Sequence, residues 1–231
     1  MSRSTEPASR RPRRPRGSIT AERVLDAAER LAADGFDALT MRAVAAQMKA
    51  SPMALYRYFD TKEGLVDALL DRVLGRFTPQ PTSDDWSEDL RRFARDHRAL
   101  LASHPWAIAA LIARPNPGMH AVRIGEIALS ILRRGGIVGG EAVAVFSGVL
   151  ALNYGWSAFA AARRSNPRGD EPEGPSMRDA LAALPADEYP LTVGVADEMG
   201  DYGSNRHYEV ALAALLNGVT GARSAATTTT R

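Results

Sequence analysis

LTMRAVAAQMKASPMALYRYFDTKEGL, residues 39–65, sets three short helix signals in close succession. Thr40 has the side chain to cap a helix in which Met41, Val44, Ala45 and Met48 recur at the three-and-four spacing of one apolar stripe. A short link, Lys49-Ala50-Ser51, follows, and Pro52 then takes the favoured first position of another helix. In that helix Leu55 and Phe59 lie four apart and face a core, which turns Met53, Ala54, Arg57 and Tyr58 outward. Asp60 to Glu63 offers a cap with a capping-box Glu before GLVDALLDRVLGRF. Helix, tight turn, helix and supporting helix make the helix-turn-helix pattern.

Upstream, ITAERVLDAAERLAADGF adds a first helix. Its face is Ile19, Val24, Ala27, Ala28 and Leu31, Thr20 is the cap, and Gly35 fits a left-handed C-terminal position. Residues 1–17 hold six Arg and one Glu, a net +5, whereas 18–77 carry −1 and the remainder −2. The basicity is therefore a tail, predicted to be a disordered arm, and its Arg13, Arg14 and Arg16 suit phosphates or a narrow minor groove. A merely solubilising terminus is the competing reading.

The run from Leu39 through Leu65 resembles the TetR family of transcriptional repressors. Its Leu55-Tyr56-Arg57-Tyr58-Phe59 and Lys62-Glu63-Gly64-Leu65 are similar to the family's "LY.HF..K..L" signature. More loosely, residues 100–222, with SHPW near the start and HYEVALAALLNGV near the end, resemble the ligand-binding domain of the branch containing the tetracycline repressor. The resemblance implies that Thr40 contacts phosphate, that Arg42 reaches bases as in some members, and that Lys62 contacts phosphate. From chemistry alone, Arg57 presents two donors to guanine O6 and N7, Tyr56 and Tyr58 offer hydroxyls to phosphates, and Met53 and Ala54 suit thymine methyls. Lys62 also stands at a helix start, where amides and dipole favour an anion. Ser51 completes this DNA-binding set. Solvated or capping roles are the bland alternatives for Arg57, Thr40 and Arg42.

Beyond Phe77, TPQPTSDD breaks the pattern, and helices are predicted at 86–103, in PWAIAALIA from Pro105, and at 119–134. GGIVGG at 135–140 reads as a linker, since Glu141-Ala142 stands where a phosphate loop needs Lys and Ser or Thr. Ala142 to Ala162 lacks any charge, long enough to span a bilayer yet rich in Ala, Gly, Ser and Asn. A helix uncharged all round buries two faces, the second most simply against another subunit. Asn205 to Val219, with Tyr208, Leu212, Leu215, Leu216 and Val219 on one face, is expected to complete a four-helix homodimer interface. NPRGDEPEGP at 166–175 reads as a mobile loop.

The sequence therefore predicts an all-α protein. Its domains are a disordered basic arm (1–17), a three-helix helix-turn-helix DNA-binding domain (18–77), a helical ligand-binding and dimerisation domain (78–222) and a disordered tail (223–231). The resemblance implies a small-molecule effector. His104, Trp106, Met119, Phe146, Asn153 and Trp156 are its candidate contacts, with Asn153 foremost because a buried amide needs a partner, although each is also a plausible core residue. The composition favours an apolar or aromatic effector. No cofactor, metal site or catalytic residue is expected. Cysteine is absent, and His97, His104, His120 and His207 lack metalloprotease spacing. No signal-peptide-like segment follows the basic start, so a cytoplasmic protein without membrane insertion is expected. A DNA-binding protein without an effector and, more remotely, a small helical enzyme are the alternatives.

Overall fold

The computed structural model describes residues 19–114, 118–165 and 176–229, the side chains of 163–165 and 220–229 excepted. The basic arm with Arg13, Arg14 and Arg16, and the loop expected at 166–175, lie outside the described residues. No β-strand occurs among them, and the chain divides into two compact units, Met1–Val66 and Asp67–Arg231.

In the first unit, α1 (Ala21–Asp34) is capped by Thr20, whose side chain accepts from the Arg23 amide. Gly35 ends it at φ 152°, ψ 123°, a conformation reserved for glycine but not the left-handed helical one expected. One 3-10 turn, Phe36–Ala38, leads to α2 (Met41–Gln47), with Thr40 as its cap. The α2 end is a Schellman turn: the Ala50 amide donates to Ala45 O at 2.9 Å and the Lys49 amide to Ala46 O at 3.0 Å. It places Lys49 at φ 54°, the left-handed region that glycine normally fills.

Regular helix in α3 covers only Pro52–Leu55, and tighter turns carry the chain on to Phe59, shorter than the helix expected over MALYRYF. For α4 (Lys62–Leu74) the cap is Thr61, which accepts from the Gly64 amide at 2.9 Å, so Glu63 stands one position too early for the expected capping box. Val24, Leu25, Ala27, Ala28, Leu39, Val44 and Leu55 form the core of this unit. The small residues let short helices approach closely.

The division between units falls inside α4 rather than after Phe77. The last turns of α4 are held by Asp67, which pairs with Arg114, and by Asp71, which accepts from the His120 amide and ring Nδ1 at 2.8 Å. In the second unit α5 (Trp86–Ser103) is central, packing on α7 (Met119–Arg134), α8 (Gly139–Ser165) and α12 (Asn205–Thr229), while α6 (Ala107–Ala113) packs on α8. Its face of Leu90, Phe93, His97 and Leu101 is buried as the spacing predicts. Buried Asp89 accepts from the Thr82 and Ser83 amides and from Arg134, tying the entry loop and α7 to α5. Burial works against that charge, but those bonds prevail and hold the carboxyl below its ordinary range.

The α7 end repeats the Schellman pattern, here with Gly136 at φ 73°. Beside it Gly135 admits Trp86, because a Cβ there would lie 2.5 Å from the indole. The GGIVGG linker is shorter than expected, since α8 starts at Gly139. Three short helices, α9 (Met177–Ala182), α10 (Pro190–Gly194) and α11 (Ala196–Gly200), precede α12. Helix α12 continues to Thr229, through most of the expected disordered tail, over a segment rich in Ala and free of Pro.

Helix α8 is long and apolar enough to cross a membrane by composition. One stripe of it, Ala142, Val145, Val149, Asn153 and Ser157, is buried, and the helix packs on α5. Val143 and Phe159 stay exposed. On α12 three residues of the expected dimer face, Tyr208, Leu212 and Leu216, are buried within their own unit, whereas Val210 is 65% exposed. Apolar spacing identifies a buried face without saying which partner buries it.

Candidate nucleic-acid interface and effector cavity

The candidate DNA-binding residues of the first unit occupy the start of α2, the turn, α3 and the first residue of α4. Arg42, Ser51, Tyr56, Arg57 and Lys62 are exposed, Met53 is 73% exposed and Ala54 is half-buried. Arg42, Lys49, Arg57 and Lys62 form no ion pair or side-chain hydrogen bond among the described residues. Thr40 Oγ1 accepts from the Ala43 amide at 3.1 Å, which leaves its own proton for a phosphate. Tyr58 differs from expectation: its hydroxyl donates to Ile19 O, so that proton is not available to a phosphate, and the residue fixes the point where the basic arm joins. Lys49 was not anticipated. The signal was a cation in the turn between two helix patterns.

The second unit contains a cavity of about 410 Å³ between α5, α8 and α12. Ala99, Ala102 and Ala160 form its apolar wall, and Arg95, Arg98, Ser157, Asn205 and Glu209 its polar one. Arg95 closes a fork on Glu209, with Nη2 to Oε2 at 2.7 Å and Nε to both oxygens at 3.1 Å. That hydrogen bond raises the Arg95 pKa and lowers the Glu209 pKa. Arg98 donates to Asn205 Oδ1 at 2.7 Å, its guanidinium 4.0 Å from the Tyr208 ring centre.

Beneath this wall lies a closed polar network. Asn153 Nδ2 donates to Ala94 O at 2.9 Å and to His97 Nδ1 at 3.1 Å, and Asn153 Oδ1 accepts from the Tyr208 hydroxyl at 2.8 Å. Since His97 accepts at Nδ1, its proton resides on Nε2. Burial pushes this imidazole down to about 4, so it is neutral near pH 7. Burial also pushes the Tyr208 phenol up to about 12, against the opposing charge of Arg98. The phenol thus stays a donor.

Two family descriptions match this chain: "Bacterial regulatory proteins, tetR family" over residues 24–69, and "Tetracyclin repressor-like, C-terminal domain" over 78–222. The chain belongs to the TetR family. Membership places it among DNA-binding regulators and sets the enzyme reading aside. It is 37% identical over 139 residues to the HTH-type transcriptional repressor DrrR1 of Streptomyces coeruleorubidus, covering 58% of this chain and 51% of that one. It spans little more than half the length of the first curated relatives it matches. With the HTH-type transcriptional repressor Rv3405c of Mycobacterium tuberculosis it shares 32% identity over 193 residues, 78% of this chain and 97% of that one. The crystal structure of the Streptomyces coelicolor TetR family protein ActR in complex with actinorhodin shares its fold. The TM-score is 0.78 at 24% identity, over 89% of this chain and 99% of that one.

None of the six residues expected to contact an effector lines the cavity of this TetR-family chain. Asn153 is fully satisfied by protein groups and holds three helices together. His104 is bonded to Arg76 at 2.6 Å, Ser103 and Leu100 O, with Trp106 edge-on at 6.4 Å. Met119 is 74% exposed, and Phe146 packs against Phe93. Trp156 donates from Nε1 to Ser204 O at 3.1 Å and leans on Tyr208, adjoining the cavity without lining it. The cavity residues that spacing missed come from three helices, and only their packing brings them together.

Proposed function

We propose that this TetR-family chain is a ligand-responsive repressor that acts in the cytoplasm as a homodimer on a palindromic operator and is released from it by a small molecule. The observation that carries the reading is the set of exposed cations around α3, Arg42, Arg57 and Lys62, with no carboxylate mated to them among the described residues. Arg57 is the base-reading candidate, whereas Thr40, Tyr56 and Lys62 have phosphate-contact chemistry. The arm arginines, Arg13, Arg14 and Arg16, add sequence-independent affinity.

Exposed Val143, Phe159 and Val210 on α8 and α12 support a dimer through these helices. Two-fold pairing would supply reading heads about 34–36 Å apart, the spacing of half-sites one turn apart. The cavity and the relative ActR, whose structures hold actinorhodin and (S)-DNPA, support a small-molecule effector. Coupling has a covalent route, since α4 belongs to both units and its second half is pinned to Arg114 and His120.

Selection of random duplexes by the full-length protein, followed by salt titration, tests the reading. A palindromic consensus bound by two chains is the expected result. Enrichment of no sequence would remove it, and operator binding indifferent to every ligand would favour a regulator without an effector.

A further inference from the structure

We propose that the cavity between α5, α8 and α12 is built for an organic acid: Arg98 and the Ser157 hydroxyl hold the carboxylate, and a flat ring body lies against Ala99, Ala102 and Ala160. This deepens the effector reading above and rests on it.

Two independent observations point to a polar ligand, and the first of them to an anion. The first is the charge inventory of the wall. Arg95 is neutralised by Glu209 through its fork; Arg98 feels Glu209 only through space, and its direct partners among the described residues are neutral, an amide oxygen and an aromatic face. Only one of its donors is committed to Asn205, so the guanidinium keeps N–H groups in the planar array that matches a carboxylate. The second is Ser157. Its hydroxyl is buried and forms no hydrogen bond among the described residues, although a mid-helix serine commonly bonds back to the preceding turn. Leaving such a group unpaired is unfavourable. A ligand oxygen in the cavity would remove that penalty. The alanines contribute only methyl groups, which leaves room for a flat body. The volume of about 410 Å³ is at the small end of ligand pockets.

The test uses naphthoate and its neutral isostere naphthamide, titrated calorimetrically into the full-length protein, with release of the selected duplex measured in parallel. Naphthoate is expected to bind at least about ten-fold more tightly than naphthamide, as a charge-assisted contact requires. Arg98→Met should abolish that preference and Arg98→Lys retain part of it. Ser157→Ala should weaken naphthoate several-fold and naphthamide by less, since a carboxylate accepts more strongly from that hydroxyl than an amide carbonyl does, while melting no lower than the parent, because it deletes an unsatisfied hydroxyl. This variant keeps the test sharp if Arg98→Met does not fold. Equal binding of acid and amide, a preference unchanged in the variants that fold, or no naphthoate binding at millimolar concentration would overturn the proposal. Duplex release by naphthamide with no preference for the acid would sink the acid site and leave the effector reading standing. Preferential naphthoate binding without any change in DNA affinity would do the reverse.

Discussion

The two units hold their cations differently. In the reading unit Arg42, Lys49, Arg57 and Lys62 are exposed and have no partner among the described residues. In the helical unit Arg95, Arg114, Arg134 and Arg178 each close onto a carboxylate, joining segments far apart in sequence. Exposed charges contribute little to folding, so the first set is free to serve a partner outside the chain. In the second set it is Arg134, on buried Asp89, that serves the fold most, as does the Asn153 network. Substitutions should separate accordingly, into those read by DNA affinity and those read by stability.

The largest effect is expected at Asn153. Asn153→Ala strips partners from the Tyr208 hydroxyl, His97 and Ala94 O at once, and should destabilise by about 3–5 kcal/mol in denaturant titration. A loss below about 1 kcal/mol would return Asn153 to the list of ligand contacts. Acid should act on the same network. His97 ionises at about 4 in the fold against 6.5 in the open chain, so the unfolded state binds more protons between these values. The His97 contribution is complete above pH 6.5, falls as pH drops towards 4, and amounts to about 3 kcal/mol. His97→Gln should flatten that part of the stability profile.

Arg57→Ala should leave melting unchanged and cost about 1–3 kcal/mol on the selected duplex, with little change on random DNA. Equal losses on both would reduce Arg57 to a phosphate contact, and a fall in melting temperature would erase the contrast between units. The smallest effect is expected at the turn. Lys49→Gly relieves the left-handed strain and should stabilise the reading unit by up to about 1 kcal/mol. Gly136 holds the same turn at the α7 end, so Gly136→Lys should lose a similar amount.

The contrast also explains what the sequence made legible. The reading unit is assembled from neighbours: Thr40 caps the helix it precedes, Pro52 opens the next, and Leu55 is buried by a spacing visible within one turn. Its exposed candidates could therefore be named residue by residue. Tyr58 was misjudged because its acceptor, Ile19 O, lies on the far side of α1 in sequence. The helical unit is decided by distant packing. Spacing marked Asn153 as needing a bond but could not choose between a ligand and the His97–Tyr208 pair, nor say which neighbour covers Tyr208, Leu212 and Leu216. Arg98, Ser157 and Asn205 carry no local signal at all.

Trp86 against Gly135, Trp106 against His104 and Trp156 on Ser204 all belong to the helical unit, and the chain has three tryptophans in total. Indole emission is therefore a private channel of that unit. With selective excitation it follows the state of the cavity domain while the reading head, which has tyrosine but no tryptophan, stays dark. Unfolding and ligand occupancy of one half can thus be timed without labelling the other.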